Sequence, residues 1–156
     1  MKLILTQQAN IPEAEVEIRY AELSTSIQKL IKQVEQSEQY LFGTSNGRRY
    51  RILLGDIFYA ESVDRKTFIY TNSEVYSCEL KLYQLLCELK NANFVQVSKS
   101  CILNIDVLDN IKTLFNSKME GILINGEKII ISRTFVPGIR AAFAEKESVI
   151  NDEKVY

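Results

Sequence analysis

The chain has 156 residues, enough for one domain with its own core or one domain plus a short extension, and a formal net charge of −1. It contains no histidine, which removes Ser-His and Cys-His dyads and histidine metal sites, and its six glycines stand singly rather than in a phosphate loop. Cys78, Cys87 and Cys101 lack metal-ligand spacing and fit a reducing compartment, and no apolar run approaches the ~18 residues of a membrane helix.

In chain order, the N-terminal stretch is too short and too polar for a signal peptide, so the expected location is the cytoplasm. Glu15-Val-Glu-Ile-Arg-Tyr20 alternates strictly and predicts a half-buried strand with Val16, Ile18 and Tyr20 on one face. Leu23, Ile27, Leu30, Ile31 and Val34 recur at helical spacing, Thr25-Ser-Ile-Gln28 supplies a capping box, and the helix ends near Ser37. From Tyr40 the pattern is that of strands. Tyr50-Arg-Ile-Leu-Leu, Ile57 to Val63, Phe68-Ile-Tyr and Val75-Tyr76 are separated by turns at Asp64-Arg-Lys66 and Asn72-Ser73. One helix interrupts this meander, with Leu82, Leu85, Leu86 and Leu89 on one face, Ser77 as candidate N-cap, and Asn91 and Asn93 at its end.

Further on, Phe94-Val-Gln-Val and Ile102-Leu103 flank a loop, and Asn104 is read as a structural turn residue. Ile111 to Phe115 and Gly121 to Ile124 are joined through Asn116-Ser-Lys118. Asn125-Gly126 then predicts a type I′ hairpin, whose two central residues need positive φ, leading into Glu127-Lys-Ile-Ile-Ile. Phe135-Val-Pro-Gly-Ile-Arg140 has the form of a short helical cap before an acidic, frayed tail over residues 141–156. The fold class is therefore mostly β with few α: a compact meander or sandwich with one central helix, preceded by a strand-helix extension over residues 1–46.

Three blocks in this order resemble the LytTR family of DNA-binding domains. Asp56-Ile-Phe-Tyr-Ala-Glu61 is similar to its Asp-Ile-x-Tyr-x-Glu strand. Phe94-Val-Gln-Val-Ser-Lys99-Ser100-Cys-Ile-Leu-Asn104 resembles its strand-loop-strand with a basic residue before Ser. Asn125-Gly126 through Ser132-Arg133 matches its last hairpin and terminal Ser-Arg. The resemblance covers about residues 47–140. The chain departs from the family at Gln96 and Ser98, where Arg and His are usual. The resemblance implies a free-standing transcription regulator without a phosphoacceptor receiver domain, since the residues before Gly47 are too few for one. It further implies loops placed in successive major grooves of double-stranded DNA, at direct repeats upstream of promoters. A homodimer on DNA and a companion membrane regulatory protein complete the expected partners. No cofactor is expected, and the chain is not read as an enzyme.

Charge distribution agrees in sign with such a partner. Residues 47–140 carry thirteen basic and ten acidic side chains, whereas residues 1–46 and 141–156 are each net acidic. Lys99, between Ser98 and Ser100, and Arg133, after the last strand, are the candidate readers of base edges or phosphates. Ser98 and Ser100 fit either phosphate donation or local closure of the turn. Arg65 and Lys66 at a hairpin tip fit phosphate contact or a solubilising turn. A polar residue that some relatives use for DNA contact falls at Lys66 or Thr67. Arg49 and Arg51, within Arg48-Arg-Tyr-Arg51, share one strand face, which fits nucleic acid or a charged sheet edge that blocks aggregation. Cys78 and Cys87 are read as inert buried thiols, and Cys101 as a thiol beside the reading loop with no partner for oxidation. The alternative function is a protein-interaction module acting through a sheet edge or the N-terminal amphipathic helix.

Overall fold

A computed structural model describes residues 1–89 and 92–144. Its first regular element is α1, Thr25–Gln36, which starts where the Ser24 hydroxyl accepts the Ile27 N–H at 3.3 Å and stops at Ser37. The cap is thus Ser24 rather than the expected Thr25. Residues 15–20 form no strand, contrary to expectation: among the described residues their alternating pattern has no neighbouring strand to complete it.

Among the described residues ten strands follow: β1 Tyr40–Ser45, β2 Arg48–Leu53, β3 Ile57–Val63, β4 Lys66–Thr71, β5 Val75–Cys78, β6 Phe94–Ser98, β7 Cys101–Asn104, β8 Leu108–Thr113, β9 Met119–Leu123 and β10 Lys128–Ile131. The first seven form one antiparallel sheet in the order β2-β1-β5-β4-β3-β7-β6, and the last three form a second sheet, β10-β9-β8. Because β1 pairs with β2 over six positions, the expected boundary at 46/47 falls in the turn of a hairpin. That turn is Asn46-Gly47, with φ of 51° and 74°, the signature of type I′. Asn125-Gly126 behaves differently. Only Gly126 is left-handed there (φ 87°), and a three-residue loop closes between Leu123 and Glu127, with the Asn125 carboxamide oxygen accepting the Glu127 N–H. The extra loop residue replaces the predicted type I′ turn.

Helix α2, Leu82–Glu88, is capped at Lys81, whose N–H donates to the Gln84 side chain at 2.7 Å. The expected cap, Ser77, lies instead within β5 and donates its hydroxyl to the Thr44 carbonyl. A 3-10 turn at Arg133–Phe135 runs into a third helix, α3, over residues 136–144. The tail expected to fray lies outside the described residues from 145 onward, as does Asn91.

Apolar side chains gather on both faces of the large sheet. On one face Ile57, Ala60, Ile69 and Ile102 pack with Leu85 and Leu89 of α2 and with Leu41 and Ile52 of the β1–β2 hairpin. On the other, Val97 and Leu103 meet Leu108, Met119, Leu123 and Ile131 of the small sheet and Ile139 of α3. Gly43 allows the hairpin to seat: a Cβ there would lie 2.6 Å from Ile52 Cδ1 and 2.7 Å from Tyr76 Cβ.

Candidate nucleic-acid interface

Three connections meet at one end of the large sheet. The β3–β4 turn is Asp64-Arg65, with φ of 49° and 65°, and Val63 pairs with Lys66 across it. Next to it lies the β6–β7 turn that carries Lys99, held by the Ser62 N–H donating to the Ser100 carbonyl at 2.8 Å. The third is the exit of β10, tied to β6 by the Ser132 N–H donating to the Val97 carbonyl at 2.9 Å. Arg133 therefore starts one residue beyond a strand-to-strand hydrogen bond, close to the Ser98–Ser100 turn.

Arg65, Lys66, Lys99 and Arg133 are all exposed there, and none is paired with a carboxylate among the described residues. Unpaired cations mounted on short turns keep their full charge and donor sets for an anionic polymer. Ser98 and Ser100 are half-buried. The Ser98 hydroxyl accepts the Ser100 N–H at 3.2 Å and lies 3.4 Å from the Ser100 hydroxyl, so both serines shape the turn that presents Lys99.

Thr67 is not on this surface. It is 3 % exposed and faces inward with Ile69, two positions on along β4, so its hydroxyl presents nothing to a partner. Lys81 belongs there although sequence reasoning missed it. Its ammonium donates to the Arg65 carbonyl at 3.1 Å, bracing the β3–β4 tip from the far side of β5. No local sequence signal marks that contact, because it joins residues whose strands meet only in the folded sheet.

Asn104 is buried and structural, as expected. Its amide donates to the Ile57 carbonyl at 2.9 Å and its oxygen accepts the Asp106 N–H at 3.0 Å, locking the end of β7 to the start of β3. The thiols differ from expectation in burial, since Cys87 is exposed and Cys78 only half-buried. Burial, followed by the nearby Glu61 carboxylate, pushes the Cys101 thiol up to about 12, which keeps it protonated and unreactive at neutral pH. Across the β3–β4 pair Tyr59 and Tyr70 stack with ring centroids 4.3 Å apart, and both phenols are raised mainly by burial.

Among the described residues no group of acidic or cysteine side chains has the geometry to hold a metal ion, and no helix is long and apolar enough to cross a membrane.

The LytTr DNA-binding domain family matches residues 47–144. The chain is 28 % identical over 140 residues to the sensory transduction protein LytT of Bacillus anthracis, covering 90 % of this chain and 52 % of that protein. It is also 28 % identical over 64 residues to the transcriptional regulatory protein YpdB of Escherichia coli O6:H1, covering 41 % of this chain and 26 % of that protein. The chain thus spans at most about half the length of these curated relatives. A solved LytTr DNA-binding domain from Bacillus cereus superposes with a TM-score of 0.64 at 17 % identity, over 68 % of this chain and 97 % of that one. Matched over more than half its length, the chain belongs to the LytTr DNA-binding domain family.

Proposed function

We propose that this chain is a sequence-specific DNA-binding regulator of transcription that reads promoter-upstream repeats through turns anchored on strands. The observation that carries the reading is the convergence of Lys99, Arg133 and Arg65 on one end of the sheet, tied together by the Ser62–Ser100 and Ser132–Val97 hydrogen bonds. In this reading Arg133 sets its planar fork against guanine, and Lys99 reaches a base edge or phosphate. Arg65 and Lys66 hold the backbone, Ser98 and Ser100 order the central turn, and Lys81 braces the tip. The protein acts in the cytoplasm by binding rather than by catalysis and needs no cofactor. Two copies on direct repeats and a companion membrane protein that restrains them are the partners of this reading.

The test is selection of binding sites from random duplex DNA by the full chain, followed by affinity measurements on the selected site across salt concentrations. A recovered motif, with affinity falling linearly in log salt, supports the reading. Failure to enrich any sequence contradicts it.

A further inference from the structure

At its lateral edge the large sheet stops at β2, which has no strand on its outer side among the described residues. Its two faces differ. On one, Arg49 lies over the Phe42 ring at 4.2 Å and Arg51 over the Tyr40 ring at 4.9 Å. On the other, Tyr50 packs against Tyr76 and Ile52 is buried. Stacking fixes each guanidinium while leaving its N–H edge open to an anion.

The same chain carries an unused strand pattern that complements both faces. Residues 14–20 place Glu15 and Glu17 on one side and Val16, Ile18 and Tyr20 on the other, yet among the described residues they pair with no strand, and Val16 is 65 % exposed. We propose that residues 14–20 of one copy add to the β2 edge of a second copy as an eighth strand, and that the exchange is reciprocal. An antiparallel register with Glu15 opposite Arg51 and Glu17 opposite Arg49 sets Val16 against Tyr50 and Ala14 against Ile52. Acid then meets base on one face, while on the other Val16 and Ala14 meet apolar side chains and Ile18 lies opposite Arg48. Glu17 gives up only its exposed contact with Arg19, 2.9 Å long between side chains that are 72 % and 84 % exposed.

Other occupants fit less well. Two β2 edges facing each other would oppose arginine to arginine. A nucleic acid would meet Glu79 and Glu88, which share the groove beside Arg49. A polypeptide strand alone also satisfies the open backbone edge. Reciprocal exchange between two identical chains closes a two-fold dimer without leaving further edges of this kind free.

The test is sedimentation velocity on the full chain and on two double variants, Arg49→Glu with Arg51→Glu, and Glu15→Lys with Glu17→Lys. The wild-type chain sediments as a concentration-dependent dimer, and each variant dimerises roughly tenfold to a hundredfold more weakly. Mixing the two variants restores a dimer, because each supplies the complement that the other lacks. That recovery also shows both variants to be folded. A wild-type chain that stays monomeric, a dimer indifferent to both reversals, or a mixture that does not reassociate would each overturn the proposal. The last result would place the strand on the edge of its own chain.

Discussion

Arginine is used in two ways in this molecule. At the end of the sheet proposed to read DNA, Arg65 and Arg133 sit on turns, exposed and without acidic partners among the described residues, whereas on β2 Arg49 and Arg51 lie flat over aromatic rings along a sheet edge. The first setting leaves the guanidinium free to follow a groove, and its position is fixed by hydrogen bonds between strands. The second spends one face of the guanidinium on a ring and offers an array in register with a strand. The composition is the same at both sites, and the backbone beneath it decides which partner fits. The mild excess of basic residues over 47–140 therefore overstates the charge available to DNA, since part of it belongs to the edge.

The largest effects should come from breaking the frame on which each surface rests. Asn104→Ala leaves the Ile57 carbonyl without its buried donor and should cost about 1–3 kcal/mol in urea unfolding, at the end of β3 and β7 away from the turns that carry Arg65 and Lys99. Gly43→Val forces a side chain into Ile52 and Tyr76 and should cost a similar amount, about 1–3 kcal/mol. Below its melting range it should leave DNA affinity unchanged, because the hairpin it disturbs carries the edge and not the readers. Loss of DNA affinity in the Gly43→Val variant below its melting range would erase the distinction between the two surfaces.

Next in size, Arg133→Ala should weaken binding to a selected site by roughly 1–3 kcal/mol and relax preference at one base position. Lys99→Ala, if it removes a phosphate contact, should weaken all sequences alike and lower the salt slope by about one unit, read from fluorescence anisotropy titrations. Arg49→Ala with Arg51→Ala should leave that slope as it is. Smallest of all is the effect of oxidation. Burial pushes the Cys101 thiol up from its ordinary value of 9.0 to about 12. The raised value favours the protonated form in the fold, so its stabilisation is complete below about pH 9 and is lost as pH climbs through 12. At neutral pH Cys101→Ser should therefore leave DNA affinity and any peroxide response nearly unchanged.

Much of the fold was legible because strand alternation and turn chemistry are local. The meander, the second hairpin pair and the leucine face of α2 follow from residue order alone. What failed depended on neighbours. Residues 14–20 have the alternation of a strand, but alternation needs an adjacent edge before it becomes one. Asn46-Gly47 and Asn125-Gly126 are the same dipeptide, yet the first closes a two-residue type I′ turn and the second a three-residue loop, because register is set by the strands on either side. Thr67 could have been excluded from the site: counting by two from Ile69, a β-branched core residue, turns it inward. Lys81 could not have been included, since its tie to Arg65 crosses between elements. Lys99 and Arg133 stand on the same end of the sheet, where the Ser132 N–H donates to the Val97 carbonyl of the strand that leads to Lys99.

Arg133→Lys on a selected operator is the most direct measurement of that role, because it keeps the charge and removes the planar fork. Affinities for the operator and for unrelated duplex DNA, each followed across salt, separate readout from charge. The account predicts that the salt slopes of the variant match those of the wild type while its operator preference falls about tenfold or more. An unchanged operator preference, with the fold intact by circular dichroism, would contradict it.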